Sequence, residues 1–219
     1  MSKHLIVYYD NPTEPSDMYL KMIKKDAEEK GVTVHVCSTL DEVRNVAMGD
    51  LLQEDFIPLL ALEPIKTPNA YSKLMDEFYG FVDVDGTNYW SATATGIYNH
   101  IVELSPNRDT VVGVIGRGLV GKQLLDKLID YGYTVIEINS KTTGLAFENL
   151  LTQCNIIVGL SSVDNIIDED QKDMIEFFSK KIWIDAGHNF DFDDRKSVLK
   201  CGKWTREVLF ERIEQIWLS

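Results

Sequence analysis

Val111-Val112-Gly113-Val114-Ile115-Gly116-Arg117-Gly118-Leu119-Val120-Gly121 is the stretch that decides the fold of this chain. Its apolar beginning reads as a buried strand. Behind it, Val120, Leu124 and Leu128 recur at four-residue spacing as one face of a helix that stops at Gly132. Between strand and helix stands G-x-G-x-x-G, in the one setting where the pattern has a mechanism. The first glycine permits the tight turn, the second lets a pyrophosphate approach the backbone, and the third lets helix and strand pack closely. N–H groups at the helix N-terminus then face the phosphates. Gly116, Arg117, Gly118 and Gly121 are therefore expected to bind a dinucleotide.

The same alternation of short apolar runs and helical patterns continues on both sides. Upstream, strands are expected at Leu5–Tyr9, Val32–Cys37 and Phe56–Leu62. Helices are expected from Pro15 to the Gly31 stop, from Asp41 to Met48 before Gly49, and from Thr67-Pro68 to about Phe78. Downstream, strands are expected at Thr134–Ile138, Ile156–Leu160 and Lys181–Asp185. Helices are expected at Thr93–Leu104, Leu145–Leu151, Asp168–Phe178 and Thr205–Trp217. Such a β-α order demands mainly parallel sheets with helical crossovers. The expected fold class is α/β, in two α/β domains: residues 1–92, then a Rossmann-like dinucleotide-binding domain over residues 93–202. Residues 203–219 form a last helix packed back on the first domain.

Composition narrows the function. With 219 residues, 44% hydrophobic and 26% charged, the chain is an ordinary globular protein in its proportions. Its 22 basic and 35 acidic residues leave a net charge of −13, which repels nucleic-acid phosphate, and no basic patch offsets it. Cys37, Cys154 and Cys201 lie far apart and fit neither a disulfide framework nor a zinc site. His4, His35, His100 and His188 are scattered as well, so no metal is expected. No signal peptide or membrane-length apolar run occurs, and a cytoplasmic location is the expectation.

The chemistry of the loop leaves the dinucleotide open. Glu137, about twenty residues past the glycines, stands where an acid would hold a ribose 2′-hydroxyl and favour NAD. Arg117 and Ser140-Lys141 offer charge-assisted hydrogen bonds to a 2′-phosphate and favour NADP.

Several segments, in order along nearly the whole chain, resemble the bifunctional methylenetetrahydrofolate dehydrogenase/cyclohydrolase family. Gly116-Arg-Gly-Leu-Val-Gly-Lys122 is similar to its G-R-S-x-x-V-G-x-P, Asn139-Ser-Lys-Thr142 to its H-S-x-T, and Ile184-Asp-Ala-Gly-His-Asn189 to its V-I-D-x-G-I-N. Asp83-Val-Asp-Gly86 matches D-V-D-G, Ser16-Asp-Met-Tyr19 resembles the start of S-x-x-Y-x-x-x-K, and Ser91–Gly96 lies where the family has P-C-T-P-x-G. The resemblance implies a tetrahydrofolate cleft between the two domains, with Tyr19 and Asp85 as catalytic residues and Tyr19, Asp85 and Leu60 as substrate-binding residues. It implies NADP on the glycine-rich side, held by Gly116, Arg117, Gly118, Gly121, Ser140 and Thr142, with His188 near the nicotinamide edge. It also implies a homodimer.

The departures concentrate on the folate side. The family's lysine four residues after the tyrosine is Ile23, its Q-L-P-L-P glutamine is Leu60, and the lysine before D-V-D-G is Val82. The serine of G-R-S is Gly118, and the P-G-G-V-G-P-M-T loop is reduced to Cys201–Thr205. Lys24 is one helical step, about 100°, from the missing lysine and off the face of Tyr19. Hydride transfer depends on orienting two ligands, whereas hydrolysis of the methenyl product needs a positioned acid or base. The expectation is an NADP-dependent methylenetetrahydrofolate dehydrogenase with cyclohydrolase weak or lost. A non-catalytic folate- or dinucleotide-binding relative and an oxidoreductase of another small substrate remain the alternatives.

Overall fold

The computed structural model describes residues 3–10, 12–50, 56–62, 81–85, 90–142, 144–176 and 180–218. These residues form two compact units, residues 1–92 with 206–219, and residues 93–205.

In the first unit, β1 (Lys3–Tyr8), α1 (Glu14–Glu29), β2 (Val32–Cys37), α2 (Leu40–Asp50), β3 (Ile57–Ala61) and β4 (Phe81–Asp83) build an all-parallel sheet in the order β2-β1-β3-β4. Successive side chains of a strand point to opposite faces, and β1 uses both. Leu5, Val7 and Tyr9 enter a core with Leu20, Ile23 and Ala27 of α1 and with Val208, Leu209, Phe210, Ile213 and Ile216 of the C-terminal helix (Gly202–Leu218). Ile6 and Tyr8 enter a second core with Val43 and Ala47 of α2. Helix α1 opens with a capping box in which Ser16 N–H donates to Thr13 Oγ1 and Thr13 N–H donates to Ser16 Oγ (3.3 and 3.0 Å).

Two elements differ here from the expected ones. Helix α2 continues through Gly49 to Asp50, since a glycine in an exposed last turn weakens a helix without ending it. Strand β4 was unforeseen, being three residues long and without a readable alternation. The helix expected between Thr67 and Phe78 lies outside the described residues.

The second unit runs α3 (Ala92–Leu104), β5 (Val111–Ile115), α4 (Leu119–Asp130), β6 (Thr134–Ile138), α5 (Gly144–Gln153), β7 (Ile156–Gly159), β8 (Ile167–Asp168), α6 (Glu169–Glu176), β9 (Ile182–Asp185), β10 (Phe190–Asp191) and β11 (Val198–Lys200). Its main sheet is parallel, ordered β11-β9-β7-β5-β6, while β8 and β10 pair separately. The C-terminal helix, α7, begins at Gly202, three residues before the sequence pattern suggests. Val112 and Val114 of β5 face α3 and α4 through Ile97, Ile101, Leu124 and Leu128. On the other face Gly113 admits Leu150 and Cys154, whose side-chain atoms come within 2.8–3.0 Å of where its Cβ would be. All three cysteines are free and buried, and burial pushes the Cys154 thiol up to about 12.

One buried cation ties α7 to the strand system of the first unit. Arg212 donates from Nη1 to the Val84 carbonyl (2.7 Å) and from Nη2 to the Trp90 carbonyl (2.6 Å). Arg212→Ala should leave both carbonyls unpaired and lower stability by about 2–4 kcal/mol, measured by urea unfolding. A loss under about 0.5 kcal/mol would show that water takes the guanidinium's place.

Candidate functional site

In the second unit the chain steps from β5 to β6 on one side, then crosses back to β7 on the other. The loops leaving β5 and β7 therefore part in opposite directions, the topological switch point where open α/β sheets hold ligands. A cavity of about 590 Å³ lies there, lined by Gly116, Arg117 and Gly118 after β5, by Ile138 at the end of β6 with Asn139 and Ser140 following it, and by Leu160–Val163 after β7. Phe147 and Ile166 complete an apolar end.

Each glycine of the turn has a distinct physical reason. Gly116 has φ +109°, and a Cβ there would sit 2.7–2.8 Å from the backbone of Leu160 and Ser161. A Cβ on Gly121 would collide with the Gly116 carbonyl oxygen. Gly118 differs: it is the N-cap of α4, and among the described residues nothing lies within 4 Å of its Cβ position and no side chain caps that end. The result is a helix N-terminus of free N–H character opening on empty space, with an apolar slot beside it. That combination suits a phosphate diester joined to a flat ring.

Arg117 and Glu137, weighed above as rivals, meet each other. Arg117 Nη1 stands 3.6 Å from Glu137 Oε1, and Asn139 Nδ2 donates to the same oxygen at 2.6 Å. Arg117 keeps 58% of its side chain exposed, so the pair is weak and the guanidinium can leave it. Ser140 lines the cavity, whereas Thr142 Oγ1 accepts the Asn139 N–H (2.8 Å) and holds the turn from behind. His188 is exposed, at φ +59°, outside the residues that line this cavity.

The expected folate-side residues all lie in the first unit. Asp85 Oδ1 accepts the Ala92 N–H at 2.5 Å, and Asp83 Oδ1 accepts the Asp85 N–H at 3.0 Å, so Asp83 has a structural role in the turn. Burial raises the Asp85 pKa, opposed by the Ala92 hydrogen bond and by the Arg212 charge. Tyr19 packs against the α1 core with its hydroxyl oxygen buried. Leu60 is 1% exposed, which leaves its side chain in the core and without a face for a ligand. Ile23 and Leu60 are buried in one cluster, and Val82 packs against it. The three positions where the resembling family carries polar residues have thus merged into a single apolar core. Lys24 is solvent-exposed; Trp90 is 39% exposed, and Trp204 stacks on His100 at 3.8 Å.

Sequence reasoning missed Asn139 as the residue that clips Glu137, and missed the Ser161–Val163 wall. Asn139 lay within a quoted motif, but its partner choice depends on strand register. The wall follows β7 with no motif at all.

The fold defines a two-unit α/β protein whose second unit is a Rossmann-type parallel sheet. No family model matches the sequence, and no curated protein matches it. Solved structures do. The bifunctional 5,10-methylenetetrahydrofolate dehydrogenase/cyclohydrolase of Thermoplasma acidophilum superposes with a TM-score of 0.70 at 16% identity, covering 99% of this chain and 89% of that one. The Trypanosoma brucei methylenetetrahydrofolate dehydrogenase-cyclohydrolase, complexed with NADP and an inhibitor, gives 0.69 at 12% identity over 98% and 86%. The NAD-dependent 5,10-methylenetetrahydrofolate dehydrogenase of Saccharomyces cerevisiae gives 0.71 at 13% over 98% and 87%. The fold of this chain is the fold of those enzymes, as its motifs led one to expect.

The apolar merger has a measurable consequence. Ile23→Lys places an ammonium group in the α1 core, losing the isoleucine packing and desolvating a charge. We expect destabilisation of at least about 3 kcal/mol in chemical unfolding. Wild-type stability would mean that the position has a polar outlet.

Proposed function

We propose that this chain is an NADP-dependent 5,10-methylenetetrahydrofolate dehydrogenase that lacks cyclohydrolase activity. The observation that carries the reading is the uncapped α4 N-terminus at Gly118, facing a cavity that has an arginine and a serine at its rim. Five similar structures carrying the dehydrogenase name support the choice of reaction. The residues fit the cofactor: Gly118 leaves room for a pyrophosphate, the first N–H groups of α4 meet its charge, and Phe147, Val163 and Ile166 offer an adenine slot. Arg117 and Ser140 would take the 2′-phosphate. NADP, when bound, supplies the hydride acceptor.

On the folate side Asp85 would accept pterin N–H donors, with Tyr19 packing alongside. Orientation of the methylene carbon is the task left to these residues, since loss of a hydride needs no proton shuttle. Hydrolysis of a methenyl bridge is different: water must lose a proton and a ring nitrogen must gain one. The apolar cluster of Ile23, Leu60 and Val82 offers no group for either transfer.

A second reading, NAD as the cofactor, is favoured by Glu137. Its carboxylate is held by Asn139 beside Arg117, where it can accept a ribose hydroxyl and repel a 2′-phosphate.

Spectrophotometry of purified protein with methylenetetrahydrofolate tests the proposal. NADP should be reduced, and methenyltetrahydrofolate should disappear no faster than it does without protein. Cofactor binding without any reduction would favour a non-catalytic relative. Arg117→Ala should weaken NADP at least about 10-fold more than NAD, because it removes a charged partner of the 2′-phosphate alone; equal losses would favour the NAD reading. Gly118→Val should abolish binding of both dinucleotides in a folded protein, while Gly118→Ser, the family's residue, should keep affinity within about 5-fold. Unchanged affinity in the valine variant would remove the cavity from the reaction.

A further inference from the structure

Asn189 is completely buried, and its side chain reaches back 28 residues to the cavity wall. Its Oδ1 accepts the Ser161 N–H (3.0 Å), while Nδ2 donates to the Ser161 carbonyl (3.0 Å) and to the Val163 carbonyl (2.5 Å). One carboxamide thus brackets Ser161 on both sides, as a neighbouring strand would. The surroundings are shaped for it. A Cβ on Gly159 would stand 2.7 Å from Asn189 Oδ1, and one on Gly187 would collide with the Ser161 carbonyl. Asn189 is itself anchored, since its N–H donates to Asp185 Oδ1 (3.1 Å), whose other oxygen accepts from Lys200 (2.6 Å).

The bracketed wall also touches the glycine turn. Ser161 N and the Leu160 carbonyl occupy the space a side chain on Gly116 would need. Moving residues 160–163 therefore moves the floor under Gly116 and the apolar slot at Val163 together. We propose that Asn189 is the positioning residue of this cavity, holding the Ser161–Val163 wall at the separation that a dinucleotide requires. The inference rests on the dinucleotide reading of the cavity and adds a residue to it that touches no ligand.

Asn189→Asp is the discriminating variant. The introduced carboxyl can still accept the Ser161 N–H, but when ionised it confronts two carbonyl oxygens where the amide donated. Protonation returns an O–H that can donate to one of them. Burial among acceptors raises its pKa and brings that event into an accessible range.

NAD binding to the full chain would be measured by calorimetry between about pH 8 and pH 5.5, with NAD chosen because it has no 2′-phosphate to titrate. Each value is taken as a ratio to wild type at the same pH, which cancels Asp164, Asp185, His188 and Lys200, present in both proteins. Asn189→Ala should weaken binding by about 30-fold at every pH. Asn189→Asp should be equally weak at high pH and recover several-fold toward wild type as the pH falls, a recovery that simple loss of packing would not produce. Binding within about 3-fold of wild type in Asn189→Ala, or a pH-independent deficit in a folded Asn189→Asp, would overturn the inference. Wild-type protein that binds neither NAD nor NADP would overturn the dinucleotide reading itself. If the Asn189 variants do not fold, Gly187→Ala presses the same wall from the other side. Loss of binding there supports the proposal, and full binding overturns it.

Discussion

Two stretches of bare backbone meet behind the cavity, and the second unit is organised around that contact. The Leu160 carbonyl and the Ser161 nitrogen lie 2.8 Å from where a side chain on Gly116 would begin. Only glycine permits the approach, and only φ +109° turns the chain away from it in time for α4 to start. The same economy repeats one turn later, where Gly121 lies against the Gly116 carbonyl, and beneath the sheet, where Gly113 admits Leu150 and Cys154. Strand, turn and helix are thereby drawn close enough that the helix end faces the space between β5 and β7. The electrostatics of the cavity follow from this steric fact. A helix end presents its N–H groups outward only when nothing else has taken them, and at Gly118 no side chain among the described residues does.

The first unit is organised by apolar packing instead. Ile23, Leu60 and Val82 come from α1, β3 and β4, and they gather in one cluster with Tyr19 against it. A cluster built from apolar side chains carries no charge-desolvation cost, so burying these residues adds directly to the cohesion of the unit. Asp85 is a half-buried polar group of the same unit. Its carboxylate has a structural duty, receiving the N–H of Ala92, and an electrostatic supporter in Arg212. The protonation of a group held this firmly is tied to the local hydrogen bonds of the fold.

What the sequence disclosed follows the range of the interactions involved. Strand β5, its turn and α4 are encoded within about twenty consecutive residues, so periodicity and glycine spacing were enough to place them. Strand β4, with three residues, and the two-residue pair β8 and β10 have no period to read. Arg117 and Glu137 were each visible as candidates, yet their mutual contact depends on the pairing of Val114 with Glu137 across β5 and β6, which no local pattern reveals. Asn189 was visible within a motif, but its partners lie 26 and 28 residues upstream. Ile23, Leu60 and Val82 were noted as departures one at a time; that they converge on one cluster is a property of the sheet order alone.

The first unit is discontinuous in sequence. Its sheet is complete by Asp83, but Val208, Leu209, Phe210, Ile213 and Ile216, which cover one face of that sheet, are made 125 or more residues later. On the ribosome the sheet would wait with β1, β3 and the α1 face uncovered while the whole of residues 93–205 emerges and becomes able to fold. The nascent chain therefore carries an exposed apolar face for several seconds at ordinary rates of synthesis, about 5–20 residues per second. Shielding in that interval falls to chaperones or to transient collapse, and any early termination after Thr205 releases a finished second unit attached to an unfinished first one.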